Sequence, residues 1–154
     1  MSSPEAQLEQ FIDKYSPAIA DLGRSVLKAL RERMPSAALI VYDNYNALAV
    51  GFGPNDRTSN VILSVAFYPR WVSLFFMQGI GLADPRRLLR GRGSRVRHIV
   101  LSSAEDLAHP DVSDLIDEAL RSASIRLPEV GVGSLTIKSV SVRQRTRRLG
   151  LNVS

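Results

Sequence analysis

The densest group of chemically active side chains is a loop rich in glycine and arginine, residues 86–97. It holds six arginines in 12 residues around two glycines. Glycines let backbone N–H groups turn toward an anion, and guanidinium groups bind phosphate or carboxylate through paired hydrogen bonds. The loop lacks both the Gly-Lys-Ser/Thr of a P-loop and the glycine spacing of a dinucleotide fingerprint. The predicted anion-binding residues are Arg90, Arg92, Gly93, Arg95, Arg97 and His98.

The same arginines have a structural alternative in the acidic segment 105–118. This segment carries six carboxylates, which could neutralise the loop across the surface of the domain without any ligand. They are Glu105, Asp106, Asp111, Asp114, Asp117 and Glu118. The two interpretations differ in whether the arginines face an open concavity or the acidic segment, and the sequence leaves both open.

A second basic group lies near the C-terminus. Residues 125–154 hold six Lys/Arg against Glu129 alone, whereas residues 1–124 hold 14 of each sign, so the net charge of +5 belongs to the last 30 residues. Contacts with nucleic acid phosphates are one interpretation, and protection of a sheet edge, which we favour, is the other. No recognised nucleic-acid motif accompanies the segment. The arginines concerned are Arg143, Arg145, Arg147 and Arg148.

Metal and acid–base chemistry have weaker signals. Glu5, Glu9 and Asp13 recur at i, i+4 and i+8, and such oxygen ligands suit iron, but acids near a helix N-terminus are common without a metal. His98 and His109 are the only histidines, and neither has metal-ligand spacing. The chain has no cysteine, which excludes thiolate ligands and disulfides. We therefore predict no metal site, no cofactor and no enzymatic activity.

Aromatic residues gather at the ends of predicted hairpins. Tyr42, Tyr45, Tyr68 and Trp71, together with Asp43, could rim a ligand pocket. Half-buried sheets ordinarily contain such residues, and we expect the run from Trp71 to Phe76 to belong to the core.

The elements that position these groups follow from periodicity and turn chemistry. Apolar residues recur at helical spacing over 5–15 and from the Ser16-Pro17 start to Met34, and again after Pro110. A helical turn is predicted over 84–89. Short apolar runs joined by turn residues predict strands at 38–42, 47–52, 61–68, 71–77, 96–101 and 134–142.

The predicted fold is an α+β domain whose antiparallel sheet of five or more strands carries helices mainly on one face. Residues 1–124 form the domain, and 125–154 form a basic extension that adds a strand to it. The predicted core residues are Leu22, Val26, Leu30, Leu63, Val65, Leu74, Phe76, Ile99, Leu115 and Ile116.

The longest uncharged stretch, residues 71–83, is too short to span a membrane, which needs about 20 apolar residues. Acidic residues near the N-terminus do not fit a secretory signal. We expect a cytoplasmic protein without membrane contact.

Several motifs resemble the YdhG-like domain family over residues 8–122. They are Asp84-Pro-x-x-Leu-Leu-x-Gly-x-Gly, the strand Val96–Ile99, the Tyr42-Asp43 pair after two helices, and the aromatic hairpin 68–76. The resemblance implies an α+β fold. The family is largely of unknown function, and some members are described as frataxin-like iron chaperones, which implies iron carriage as one alternative. The chain departs from the family pattern after Tyr42, where many members place a small residue and a proline, and in its extension 125–154.

The sequence thus predicts a non-enzymatic binding or carrier module. Its expected partner is a small anionic ligand or a protein, contacted by the loop 86–97. Nucleic-acid association through the C-terminal arginines and iron carriage are the alternatives.

Overall fold

A computed structural model describes residues 2–149 of the chain. Within them the chain forms three α-helices and six β-strands. The helices are α1 (Pro4–Ile12), α2 (Pro17–Arg33) and α3 (Pro110–Ser122). The strands are β1 (Ala38–Asp43), β2 (Leu48–Gly53), β3 (Leu63–Phe67), β4 (Val72–Phe76), β5 (Arg97–Leu101) and β6 (Leu135–Val140). No helix in these residues is long and apolar enough to cross a membrane.

The six strands form one sheet in the order β5-β4-β3-β2-β1-β6. Strands β1 to β5 are an antiparallel meander. The links from β1 to β4 are too short for a crossover. Strand β6 instead pairs parallel with β1. A chain segment of more than 90 residues separates these two strands, so no hairpin sets their relative direction. The α+β class and the sheet of five or more strands are confirmed.

The helices cover one face of the sheet, where they form the core with alternate residues of each strand. Proline begins each helix, and the hydroxyl of Ser3 accepts a hydrogen bond from the N–H of Ala6 at the start of α1. Gly23 of α2 lies directly on the ring of Phe67 in β3: a Cβ added there would be 1.8 Å from that ring. The absence of a side chain lets this helix approach the sheet closely.

Eight of the ten predicted core residues are buried. Leu22 and Ile99 are only partly buried, although both pack against the core. Ile99 lies in β5, which is an edge strand and has no further named strand to cover its outer side. Leu22 lies in α2, between residues that face the core and residues that face solvent.

The other face of the sheet, which we call the open face, carries the remaining side chains of the strands. Three aromatic residues lie on this face or at its rim: Trp71 is exposed, while Phe75 and Tyr68 are half-buried. Within residues 71–76, Val72, Leu74 and Phe76 belong to the hydrophobic core, and Ser73 is buried outside it, so the core prediction holds in part. Strand alternation places every second residue on each face, and only one face has helices against it.

Candidate functional site

The loop 86–97 lies at the outer edge of β5. Arg90 and His98 exchange two backbone hydrogen bonds of 2.9 Å, so Arg90 extends the sheet by one isolated bridge. The predicted helical turn over 84–89 does not form. Instead, a single turn is closed by a hydrogen bond of 3.0 Å from the N–H of Arg87 to the carbonyl of Asp84. The carboxylate of Asp84 also accepts hydrogen bonds of 2.9 Å from the N–H groups of Leu88 and Leu89.

Two residues of the loop have left-handed backbone conformations. Gly91 has φ +122°, a backbone conformation that residues other than glycine rarely adopt. Arg87 has φ +54° and is the only such residue other than glycine among the described residues. An L-residue in this region carries a conformational cost of about 1–2 kcal/mol.

Most of the loop arginines have no carboxylate partner within the described residues. Arg87, Arg90, Arg92 and Arg95 are exposed and form no salt bridge. Arg97 is half-buried, and its guanidinium donates hydrogen bonds to the carbonyl groups of Gly93 (2.6 Å) and Val96 (2.8 Å). It therefore stabilises the loop itself.

The acidic segment 105–118 neutralises little of this charge. Its one ion pair with the loop joins Nε of Arg86 to Oδ2 of Asp111 at 3.8 Å, and both side chains are partly exposed. Asp117 lies 2.5 Å from Arg33 of α2 instead. The carboxylate of Asp106 would have its pKa raised by partial burial, but hydrogen bonds from Ser102 and Ser103 lower the pKa below its usual value.

The two histidines have different surroundings. Nδ1 of His109 accepts a hydrogen bond from the N–H of Asp111 and caps α3, which is a structural role. His98 lies on the open face with its ring centroid 5.1 Å from that of Phe75. In residues 2–149 no three or more His, Asp or Glu side chains are grouped so that they could hold a metal ion.

The acidic stripe of α1 is paired with arginines of α2. Arg31 donates to both carboxylate oxygens of Glu5 (3.0 and 2.6 Å), and this lowers the pKa of Glu5. Arg24 binds Glu9 at 2.8 Å and also contacts Asp13. The oxygen atoms that an iron-carrying surface would use are thus already engaged by cations.

Two of the four C-terminal arginines are part of the folded domain. Arg147 is 4% exposed and pairs with the buried carboxylate of Asp43. Arg148 donates hydrogen bonds to the backbone carbonyl groups of Asp13 (3.2 Å) and Tyr15 (2.8 Å). Arg143 and Arg145 are exposed. All four lie after the end of β6, so none protects the edge of that strand from within it, and Arg147 is not accessible to a phosphate.

The open face contains a depression that the sequence patterns did not single out. Its floor is formed by small residues of β2, β3 and the turn before β2, and its walls by aromatic and apolar side chains. Its volume is ≈ 410 Å³. The only feature of the sequence that indicates this depression is the presence of small residues at alternate positions, and such a pattern is also common in ordinary β-strands. The floor residues are Ala47, Ala49, Ser64 and Ala66, and the walls include Tyr45, Tyr68, Phe75 and Met77.

Charge is divided between the two layers of the domain. The helical regions, residues 1–34 and 104–122, hold 6 Lys/Arg against 11 Asp/Glu, a net charge of −5. The remaining residues hold 14 Lys/Arg against 4 Asp/Glu, a net charge of +10. The strands and the loops outside the helical regions therefore carry the excess positive charge of the protein.

The chain matches no protein-family model, no curated protein and no solved structure. The resemblance to the YdhG-like family consequently rests on the sequence motifs alone and stays a prediction.

Proposed function

We propose that this protein is a non-enzymatic binding module that holds an anionic ligand through the arginines of the loop 86–97. The observation that carries the proposal is the exposure of Arg87, Arg90, Arg92 and Arg95 without any carboxylate partner in residues 2–149. Like charges held together at a surface repel one another. A ligand with phosphate or carboxylate groups removes this repulsion, and each guanidinium offers it a pair of N–H donors.

The layered charge supports the same proposal. An anion that approaches the protein is repelled by the helical layer, with its net charge of −5, and attracted by the sheet side, with +10. Such a separation of charge steers an anionic ligand toward one face and raises its rate of association. The loop at the edge of β5 contributes six of the arginines to this positive charge.

A binding role is favoured over a catalytic one because several titratable residues already have structural roles. Glu5, Glu9 and Asp13 are bound by arginines, and His109 caps a helix. The absence of cysteine fits a reducing compartment, and we place the module in the cytoplasm as part of this proposal. Iron carriage has less support, because the acidic stripe on α1 is already paired.

The test measures binding of inorganic tripolyphosphate by isothermal titration calorimetry. Replacement of Arg90, Arg92 and Arg95 with alanine should weaken binding at least about tenfold, because each hydrogen bond to a charged group contributes about 1.5–3 kcal/mol. A control with Arg57, Arg121 and Arg126 replaced by alanine has the same net charge and changes three exposed arginines elsewhere. It should keep most of the affinity. Equal losses in the two variants would show that net charge alone attracts the anion and would contradict the proposal.

A further inference from the structure

The open face brings aromatic side chains next to the proposed anion site. Residues directly opposite one another in antiparallel strands share a face, and the pairing of Ser64 with Phe75, Phe75 with His98, and His98 with Arg90 defines one row across the sheet. Neighbouring positions in such a row are about 4.8 Å apart. Arg90 therefore follows the rings of Phe75 and His98 in this row; the two rings are tilted by 33° and their centroids are 5.1 Å apart.

A second aromatic pair lies at the end of the open face where β3 turns into β4. The rings of Tyr68 and Trp71 stack with centroids 5.0 Å apart, and Trp71 is 42% exposed. Both residues line a depression of ≈ 820 Å³ together with Arg145 from the C-terminal segment. The exposed Arg70 lies in the turn between them. Cationic and stacking groups thus occur together at a second place on the same face.

The two places are joined by the depression over β2 and β3. This depression and the one at Trp71 share Asn46 and Tyr68 in their walls, and no Asp or Glu lines either of them. The face therefore offers apolar surfaces with cations at both ends.

We propose that the anionic ligand of this module is single-stranded nucleic acid, which lies across the open face. Its bases stack on Phe75, His98 and the Tyr68–Trp71 pair. Its phosphates contact Arg90, Arg92 and Arg95 at one end of the face and Arg145 at the other. The proposal rests on the anion-binding function proposed above and names the class of ligand.

Three properties favour a strand of unpaired nucleotides. Every base has a flat face that stacks on an aromatic ring, whereas in a duplex the bases are stacked on one another and present only their edges. A mononucleotide carries phosphate at one position only, so it cannot contact both cationic places on this face. Arginines joined with aromatic residues, without a carboxylate in either depression, are the composition of surfaces that bind single strands.

The experiment uses an oligodeoxythymidylate of about 12 nucleotides, within the range of single-strand site sizes. Trp71 is the only tryptophan, so its fluorescence reports directly on the open face. The oligonucleotide should quench this fluorescence, whereas tripolyphosphate should bind without quenching. With four phosphate contacts, log affinity against log salt should have a slope of up to about −3 for a single strand.

Phe75→Leu separates stacking from charge. It removes the ring but keeps an apolar side chain, and it should weaken oligonucleotide binding roughly 5- to 150-fold, the range reported for loss of one stacked base. The affinity for tripolyphosphate should not change. Ile125→Ala, which removes an exposed apolar side chain that lines neither depression, serves as the control.

The outcomes are distinguishable. Failure of tripolyphosphate and oligonucleotide alike to bind would remove the proposed function itself. Binding of tripolyphosphate without binding of the oligonucleotide would overturn only the ligand class. The same holds if polyglutamate or duplex DNA binds as well as the single strand, or if thymidine monophosphate binds as tightly as the oligonucleotide. An unchanged oligonucleotide affinity in Phe75→Leu would also overturn it.

Discussion

Arg147 and Asp43, which lie 104 residues apart in the chain, form a buried ion pair in which Nη2 of Arg147 is 3.0 Å from Oδ1 of Asp43. Lys14 lies 2.7 Å from the other carboxylate oxygen. Arg147 also donates hydrogen bonds to the carbonyl groups of Asn44 and Tyr45 in the turn after β1. The C-terminal segment is therefore anchored to the first hairpin of the sheet, and it positions Arg145 beside the aromatic residues of the open face.

Replacement of Arg147 with alanine should destabilise the fold. The change leaves the buried carboxylate of Asp43 with Lys14 alone, and breaking a buried pair by removal of one partner costs about 3–5 kcal/mol. We expect a value near the lower end, because Lys14 still compensates part of the charge. Urea unfolding measures the difference. Arg143→Ala removes an exposed arginine of the same segment and should stay within about 0.5 kcal/mol of the wild type. Equal midpoints for the two variants would exclude a structural role for Arg147.

Tyr15 should make the stability fall at alkaline pH. Burial raises its pKa from 10.0 to about 12, although the nearby Arg147 opposes the shift. Since the pKa in the folded state is the higher one, the stabilising contribution is complete below pH 10 and is lost as the pH rises toward 12. The free energy of unfolding, measured from pH 8 upward, should decrease over this interval. In Tyr15→Phe this part of the pH dependence should disappear, and an unchanged slope would contradict the assignment.

Tyr15→Phe should also lower stability at neutral pH. The hydroxyl of Tyr15 donates to the carbonyl of Phe67 (2.9 Å) and accepts from the N–H of Leu48 (3.1 Å), two residues that are paired in β2 and β3. Loss of the hydroxyl leaves both buried backbone groups without this partner, at a cost of about 1–3 kcal/mol. Chemical denaturation at pH 7 provides the value, and a variant as stable as the wild type would show that these hydrogen bonds contribute little.

Gly23→Ala should destabilise the protein although alanine is the better helix former. Helix propensity alone predicts a gain of about 1 kcal/mol. The added Cβ would lie 1.8 Å from the ring of Phe67, so α2 and the sheet must move apart, and overpacking costs about 1–3 kcal/mol. Thermal unfolding determines the sign. Gly81→Ala, where an added Cβ meets nothing within 4 Å, is the matched control. A rise in melting temperature for Gly23→Ala would refute the close packing.

Arg87→Gly should stabilise the loop. Arg87 has φ +54°, which glycine adopts without steric cost, and its side chain is exposed and forms no salt bridge in the described residues. Relief of the strain is worth up to about 1–2 kcal/mol, reduced by the greater entropy of glycine in the unfolded state. Arg87→Val, with a β-branched side chain, should be less stable than the wild type. If unfolding experiments gave the reverse order, the left-handed conformation would be ruled out.

Local patterns in the sequence determined the helices and strands and the class of the fold. The Ser16-Pro17 start of α2, the helical spacing up to Leu30 and the alternation in β3 depend only on residues close in the chain. Hydrophobic periodicity and capping act within a few residues, so these elements are visible without the tertiary structure. The short turns between β1 and β4 likewise determined an antiparallel arrangement, because they are too short for a crossover.

The tertiary structure decided what the charged and aromatic residues do. In the sequence the excess charge of +5 belongs to residues 125–154, whereas in the fold the helical layer has −5 and the rest has +10. Arg147 and Arg143 belong to one basic run, yet the first is buried on Asp43 and the second is exposed. Strand β6 pairs parallel with β1, and Arg90 lies in one row with His98 and Phe75. The spacing of residues along the chain determines on which face of a helix or strand a side chain lies. The residues that contact this face come from distant segments, so they are determined only by the packing of the layers.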